Sequence, residues 1–156
     1  MPARAIFGKP REEAAVGGLS VSVHLVPVFQ GSLVVFDVTA SAARGRWLPW
    51  AIIDFGQNPY EAASILADDW CDVPLDDLSL VDVMSFDAQG GWELAIVFRA
   101  ELTAPPVGDA ERAPHVFAPG HFDAIGNFDP LDLERWVARA APGEAARPEP
   151  GQGLLF

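Results

Sequence analysis

Two helix starts are written into this chain, each set between stretches that read as strand, and together they confine it to a mixed α/β fold. At Asn58-Pro59-Tyr60-Glu61 a capping side chain is followed by proline at the first helical position and an acid at the third. The spacing predicts a helix from Pro59 to about Trp70, ended by Pro74. The same grammar recurs at Asp129-Pro130-Leu131-Asp132, where Leu131, Leu133, Trp136, Val137 and Ala140 carry a second helix to about Ala141.

Strand signals fill the rest. Leu19, Val21, Val23 and Leu25 alternate with Ser20, Ser22 and His24, and the β-branched run Leu33 to Val38 follows Gln30-Gly31, which reads as a hairpin. Ser41 to Gly45 is a small, polar loop ahead of the apolar run Trp47 to Ile53 and a turn at Phe55-Gly56-Gln57. Leu78 to Phe86 and Trp92 to Leu102 form a second hairpin, Thr103 to Arg112 reads as a loop, and His115 to Phe117 is a further short strand. With half of its residues apolar, the chain has material for one core, and 156 residues leave room for one domain. Residues 1–18 are expected to be an N-terminal arm, 19–141 the domain, and 142–156 a Pro/Gly linker ending in an apolar peptide.

Charge narrows the partners. Asp and Glu number 22 against 10 Lys and Arg, a net charge of −12, so the surface repels a phosphate backbone and direct nucleic-acid binding is not expected. From Trp47 to Phe98 there is no Lys or Arg at all, against ten acids. An anionic ligand there needs metal ions or basic residues brought from elsewhere in the chain. The lone Cys71 excludes an intramolecular disulfide and an all-cysteine metal site, and no apolar run is long enough to span a membrane; a cytoplasmic protein is expected. His24, His115 and His121 are scattered, and no serine sits in a nucleophile-elbow setting.

The segment WLPWAIIDFGQNPYEAASILADDWCD, placed between two hairpins and ahead of a late helix, resembles the Nudix hydrolase family. The family box, G-x5-E-x7-R-E-U-x-E-E-x-G-U with U aliphatic, commonly follows a W-L-P lead. Trp47-Leu48-Pro49 matches that lead, and Gly56, Pro59, Glu61, Ala62 and Ala63 fall in register, over a likeness running from about Leu19 to Ala140. The resemblance implies an α/β/α sandwich with a mixed β-sheet, one helix on each side.

In that register most of the family's chemistry is replaced. Trp50 and Ala51 stand for the box glycines, Gln57 for the first glutamate, Ile65-Leu66 for the Arg-Glu pair, Asp69-Trp70 for the Glu-Glu pair and Asp72 for the closing glycine. Nudix enzymes hold divalent metal through glutamates on one helix face, and this requires several hard oxygen ligands. Here Asp69 alone keeps an acid at such a position. Leu66, Asp69 and Trp70, spaced i, i+3, i+4, are expected to share one face, with Trp50 and Gln57 beside them as the cleft.

The expectation is therefore a divergent Nudix-like protein without ordinary metal-dependent diphosphate hydrolysis and without a cofactor, acting as a ligand-binding or protein-interaction module. The alternative is a hydrolase of a nucleoside diphosphate-linked substrate in which Asp68, Asp69 and Asp72 hold Mg²⁺ or Mn²⁺ with Glu101, Asp109 or Glu111. Core packing across Trp50, Leu66 and Trp70, or a homodimer through that apolar face, are further readings. At the end of the chain Gln152-Gly153-Leu154-Leu155-Phe156 resembles the bacterial sliding-clamp-binding peptide, with Gly153 at the usual leucine position, so Gln152, Leu154, Leu155 and Phe156 form a candidate docking peptide.

Overall fold

A computed structural model describes residues 19–40, 44–54, 56–88, 91–118 and 120–138. The expected N-terminal arm, the linker over residues 142–156 and the docking peptide Gln152 to Phe156 lie outside the described residues.

Among the described residues seven strands form one mixed sheet flanked by two helices. Strands β1 (Leu19–Phe29) and β2 (Ser32–Val38) make the first hairpin, β3 (Gly45–Trp47) and β4 (Trp50–Ile52) follow, then helix α1 (Pro59–Leu66), the hairpin β5 (Leu75–Ala88) and β6 (Gly91–Leu102), β7 (Arg112–Phe117) and helix α2 (Pro130–Val137). The first turn is tight because Gln30 and Gly31 both adopt positive φ, 50° and 79°, which matches the twist of the flanking strands.

The hairpin is paired only next to its turn, at Val28↔Leu33 and Phe29↔Ser32, and then it forks. β4 enters the fork against β1, with His24 opposite Trp50, while β3 and β7 pair with β2. Leu48-Pro49 crosses between the two arms, anchored by the Leu25 amide donating to the Pro49 carbonyl at 2.9 Å. On its other edge β1 runs parallel to β6 from Leu19↔Trp92 to Val28↔Glu101, the parallel seam of an otherwise antiparallel sheet.

Alternation along the strands makes two cores. Val23, Leu25, Val34, Phe36, Phe98 and Ala100 face α1 and bury its Ala62, Ala63 and Leu66. Val26, Val28, Leu33, Val35 and Val97 face α2 and bury Leu133, Trp136 and Val137. The α/β/α sandwich with a mixed sheet is thus the observed architecture.

Three boundaries differ from the sequence reading. β5 begins at Leu75 rather than Leu78, since a bulge between Leu75 and Asp77 absorbs the consecutive acids that break the alternation. β7 begins at Arg112, three residues earlier than expected. The box helix is α-helical only to Leu66 and continues as a π turn over Ala67–Cys71, closed by the Asp72 amide donating to the Ala67 carbonyl at 3.2 Å. The second helix is described to Val137, with its cap at Ala138, so its expected extension to Ala141 passes out of the described residues.

Candidate functional site

The start of α1 is set as its sequence dictates. Asn58 Oδ1 accepts from the amides of Tyr60 at 2.8 Å and Glu61 at 3.4 Å, which fixes the helix over the fork of the first hairpin. Between α1, the fork and the start of β7 lies a cavity of about 490 Å³. Trp50, Gln57, Leu66, Asp69 and Trp70, the five residues singled out in the sequence as the cleft, all line it. A pocket of this size falls in the range that small-molecule sites occupy.

Its floor is apolar. Leu66 is 5% and Trp70 8% exposed, and the Trp70 ring meets Phe36 edge-on at 5.4 Å, so both belong to the core as well as to the cavity. Trp50 and Trp47, with ring centroids 6.4 Å apart, form a second aromatic wall. The π turn decides which side chains take part: Trp70 and Cys71 turn inward, while Asp68 and Asp69 stay exposed. Burial pushes the Cys71 thiol up to about 12, so it remains a protonated core group rather than a nucleophile or a metal ligand. At the end of the turn Asp72 adopts φ 51° and ψ 40°. This is a left-handed conformation, which glycine takes without cost and aspartate tolerates better than most residues.

Arg112, expected to end the Thr103 to Arg112 loop, instead opens β7 and borders the cavity. Its guanidinium lies over the Trp70 ring, 4.2 Å from the centroid, and Nη1 donates to Asp69 Oδ2 at 2.9 Å. Sequence supplied no cation between Trp47 and Phe98, and the fold brings this one in at the first residue of β7, opposite Val38. The turn before it is built to place it. Asp109 Oδ1 accepts from the amides of Glu111 at 2.8 Å and Arg112 at 2.9 Å, and Gly108 holds φ 71° where an added Cβ would meet the Arg112 carbonyl oxygen at 2.5 Å. The Asp69 and Arg112 side chains are 60% and 33% exposed, so their ion pair is worth about 1 kcal/mol or less. Stacking on Trp70 adds roughly 0.5–2 kcal/mol.

The donor set does not fit a divalent metal. Among the described residues no three His, Cys, Asp or Glu side chains converge as an ion requires. Asp69 is engaged by Arg112, and the neighbouring family positions are the buried Leu66 and Trp70. Asp68, Asp72 and Asp109 border a separate polar pocket of about 420 Å³ together with Asp69 and Arg112, and Glu111 faces the main cavity. Because Trp70 packs beneath Arg112 and against Phe36, a Trp70→Asp substitution would disturb the core as much as any surface, which makes it a poor reporter of dimerisation.

A second polar cluster lies on the α2 side of β1. Ser22 Oγ donates to Glu93 Oε2 at 2.6 Å and lies 3.0 Å from His24 Nε2, which is itself 3.3 Å from the same carboxylate oxygen. His24 and Glu93 line a small pocket of about 200 Å³ with Trp47, Trp50 and Phe128. Ser22 has no exposed surface and its hydroxyl proton is committed to Glu93, so the three groups do not form a nucleophilic triad. Their period-two spacing on β1 was visible in the sequence, but the partner Glu93 comes from the parallel strand β6. Elsewhere His115 pairs with Asp37 at 2.7 Å, and Arg46, donating to Asp37 at 2.8 Å, holds that carboxyl below its usual range.

Burial holds the His24 ring below its ordinary value of 6.5, against the opposing pull of Glu93. The neutral ring therefore stabilises the fold fully above about pH 6.5, and stability declines as the pH falls below that value, because the unfolded chain takes up the proton first. His24→Gln is expected to flatten this slope in urea midpoints measured between about pH 7.5 and 5. Identical slopes for the two proteins would show that His24 does not carry it.

No protein-family profile matches the sequence, and no curated protein matches it. Solved structures do. A MutT NUDIX hydrolase from Burkholderia pseudomallei superposes with a TM-score of 0.61 at 19% identity, covering 74% of this chain and 96% of that one. The E. coli ORF135 protein gives 0.62 at 13% identity over 83% and 94%, and a MutT protein from Methanosarcina mazei Go1 gives 0.63 at 12% over 76% and 92%. At such identities the likeness is one of backbone. No helix among the described residues is long and apolar enough to cross a membrane. With a forked first hairpin, a parallel seam and a capped helix on either face of one mixed sheet, this chain has the Nudix hydrolase fold.

Proposed function

We propose that this protein is a Nudix-fold binding module, one whose cleft takes up a small ligand instead of holding metal for diphosphate hydrolysis. The observation that supports this reading is the apolar floor: Leu66 and Trp70, at positions where the family places metal-holding carboxylates, are packed into the core and still line an open cavity of about 490 Å³. An apolar concave site with a few polar groups at its rim is the usual form of a ligand pocket.

Two measurements test it. In isothermal titration with Mg²⁺ and Mn²⁺, with and without a non-hydrolysable dinucleotide diphosphate, wild type and Asp69→Ala are expected to give the same unsaturable heats. Saturable metal binding that disappears in Asp69→Ala would overturn the reading and restore the hydrolase. The uncharged dye Nile red is expected to bind the wild type saturably and to lose that binding in Ala40→Trp, which fills the cavity from an exposed position. A wild type that leaves the dye in water would show that the apolar floor does not by itself take up a ligand.

A further inference from the structure

We propose that the ligand of this cavity is a small organic cation, and that it enters by displacing the Arg112 guanidinium from its seat between Trp70 and Asp69. The inference rests on the cleft being a ligand site, and it adds the chemical class of the occupant.

Charge is the first argument. Asp69 and Glu111 line the cavity against Arg112 as the one cation among the described lining residues, within a chain of net charge −12. An anion entering here meets carboxylates in excess, whereas a cation is attracted over the whole approach. The wall is the second. Trp47, Trp50 and Trp70 border the same space, and indole faces are the aromatic surfaces that attract cations most strongly.

Arg112 supplies the third argument, since it already occupies the seat as a tethered cation would. Its Cζ atom stands 4.2 Å over the Trp70 ring and its Nη1 atom 2.9 Å from Asp69, the two contacts that a planar cationic head needs: a π face and a carboxylate at its edge. Two contacts hold it there, the stacking on Trp70 and a solvent-screened ion pair, and a ligand that makes both can replace it. Both members of the ion pair are partly exposed, and the Arg112 side chain springs from the first residue of β7, at the cavity rim. About 490 Å³ accommodates a flat head together with an organic body.

The test compares three probes of one shape, benzamidinium, benzamide and benzoate, by isothermal titration and by the fluorescence of the cavity tryptophans. Benzamidinium is expected to bind at least roughly tenfold more tightly than benzamide, with benzoate the weakest of the three. Arg112→Gln empties the seat and is expected to tighten benzamidinium roughly tenfold, while Arg135→Gln, whose cation pairs with Asp82, leaves it unchanged. Benzamide binding as well as benzamidinium, benzoate binding best, or a weakened complex in Arg112→Gln would each overturn the proposal. If Nile red still binds in any of those cases, the cleft remains a ligand site and the cation assignment alone falls; if neither the dye nor any probe binds, both readings fall. The wild-type series decides charge selectivity even if a variant does not fold.

Discussion

Leu66→Glu is expected to cost about 4 kcal/mol or more, enough to unfold a large share of a domain of ordinary stability. Ile65→Glu, one residue earlier, is expected to cost less than about 0.5 kcal/mol. The two positions fall where the resembled box carries its Arg-Glu pair, and their exposures, 59% for Ile65 and 5% for Leu66, decide the difference. A glutamate at 66 loses the leucine's contacts with the α1 core and places a carboxylate beside Ala62, Ala63 and Trp70, where the cation of the same cavity, Arg112, is already paired with Asp69. Urea midpoints followed by tryptophan fluorescence measure both. Equal midpoints for the two variants would mean that Leu66 is not part of the core, and that a carboxylate can simply be reinstated there.

A comparable loss, about 2–4 kcal/mol, is expected for Arg99→Met on the other face of the sheet. Arg99 is 8% exposed, and its Nε and Nη2 atoms donate to the Trp136 and Val137 carbonyls at 3.1 and 3.2 Å while Nη1 meets Glu101 at 2.7 Å. It thus satisfies the last carbonyls of α2, which a helix end leaves without partners, and fastens that helix to β6. Methionine keeps the packing and removes the donors. The measurement is a thermal or urea midpoint, and a shift below about 1 kcal/mol would show that water replaces the guanidinium at no great cost.

Local chemistry was legible wherever a side chain acts on its own neighbourhood. Asn58-Pro59 and Asp129-Pro130 announced both helices, and Gln30-Gly31 the first turn, because caps and positive-φ turns are satisfied within a few residues. The register of the family box likewise pointed to Trp50, Gln57, Leu66, Asp69 and Trp70, which the fold gathers around one cavity. What stayed hidden depends on distant strands. Arg112 reaches Trp70 because β7 pairs with β2, and Glu93 reaches Ser22 because β6 lies parallel to β1. The π turn was also invisible, since one extra residue in a helical turn leaves no compositional mark in ADDWC; only packing shows that Trp70 and Cys71 both turn inward.

The parallel seam also sets the order in which this protein can assemble. The hairpins β1–β2 and β5–β6 join near neighbours and can close early, whereas Ser22 and Glu93, brought together by the seam, are 71 residues apart in sequence. Closing a loop of that length costs entropy before any contact repays it, so the seam, like the equally distant pairing of β2 with β7, is expected to form after the hairpins. Helix α1 rests on residues of both β1 and β6, which makes the floor of the cavity a late product of that event. Until the seam closes, the apolar face that will become the binding site is open to other chains.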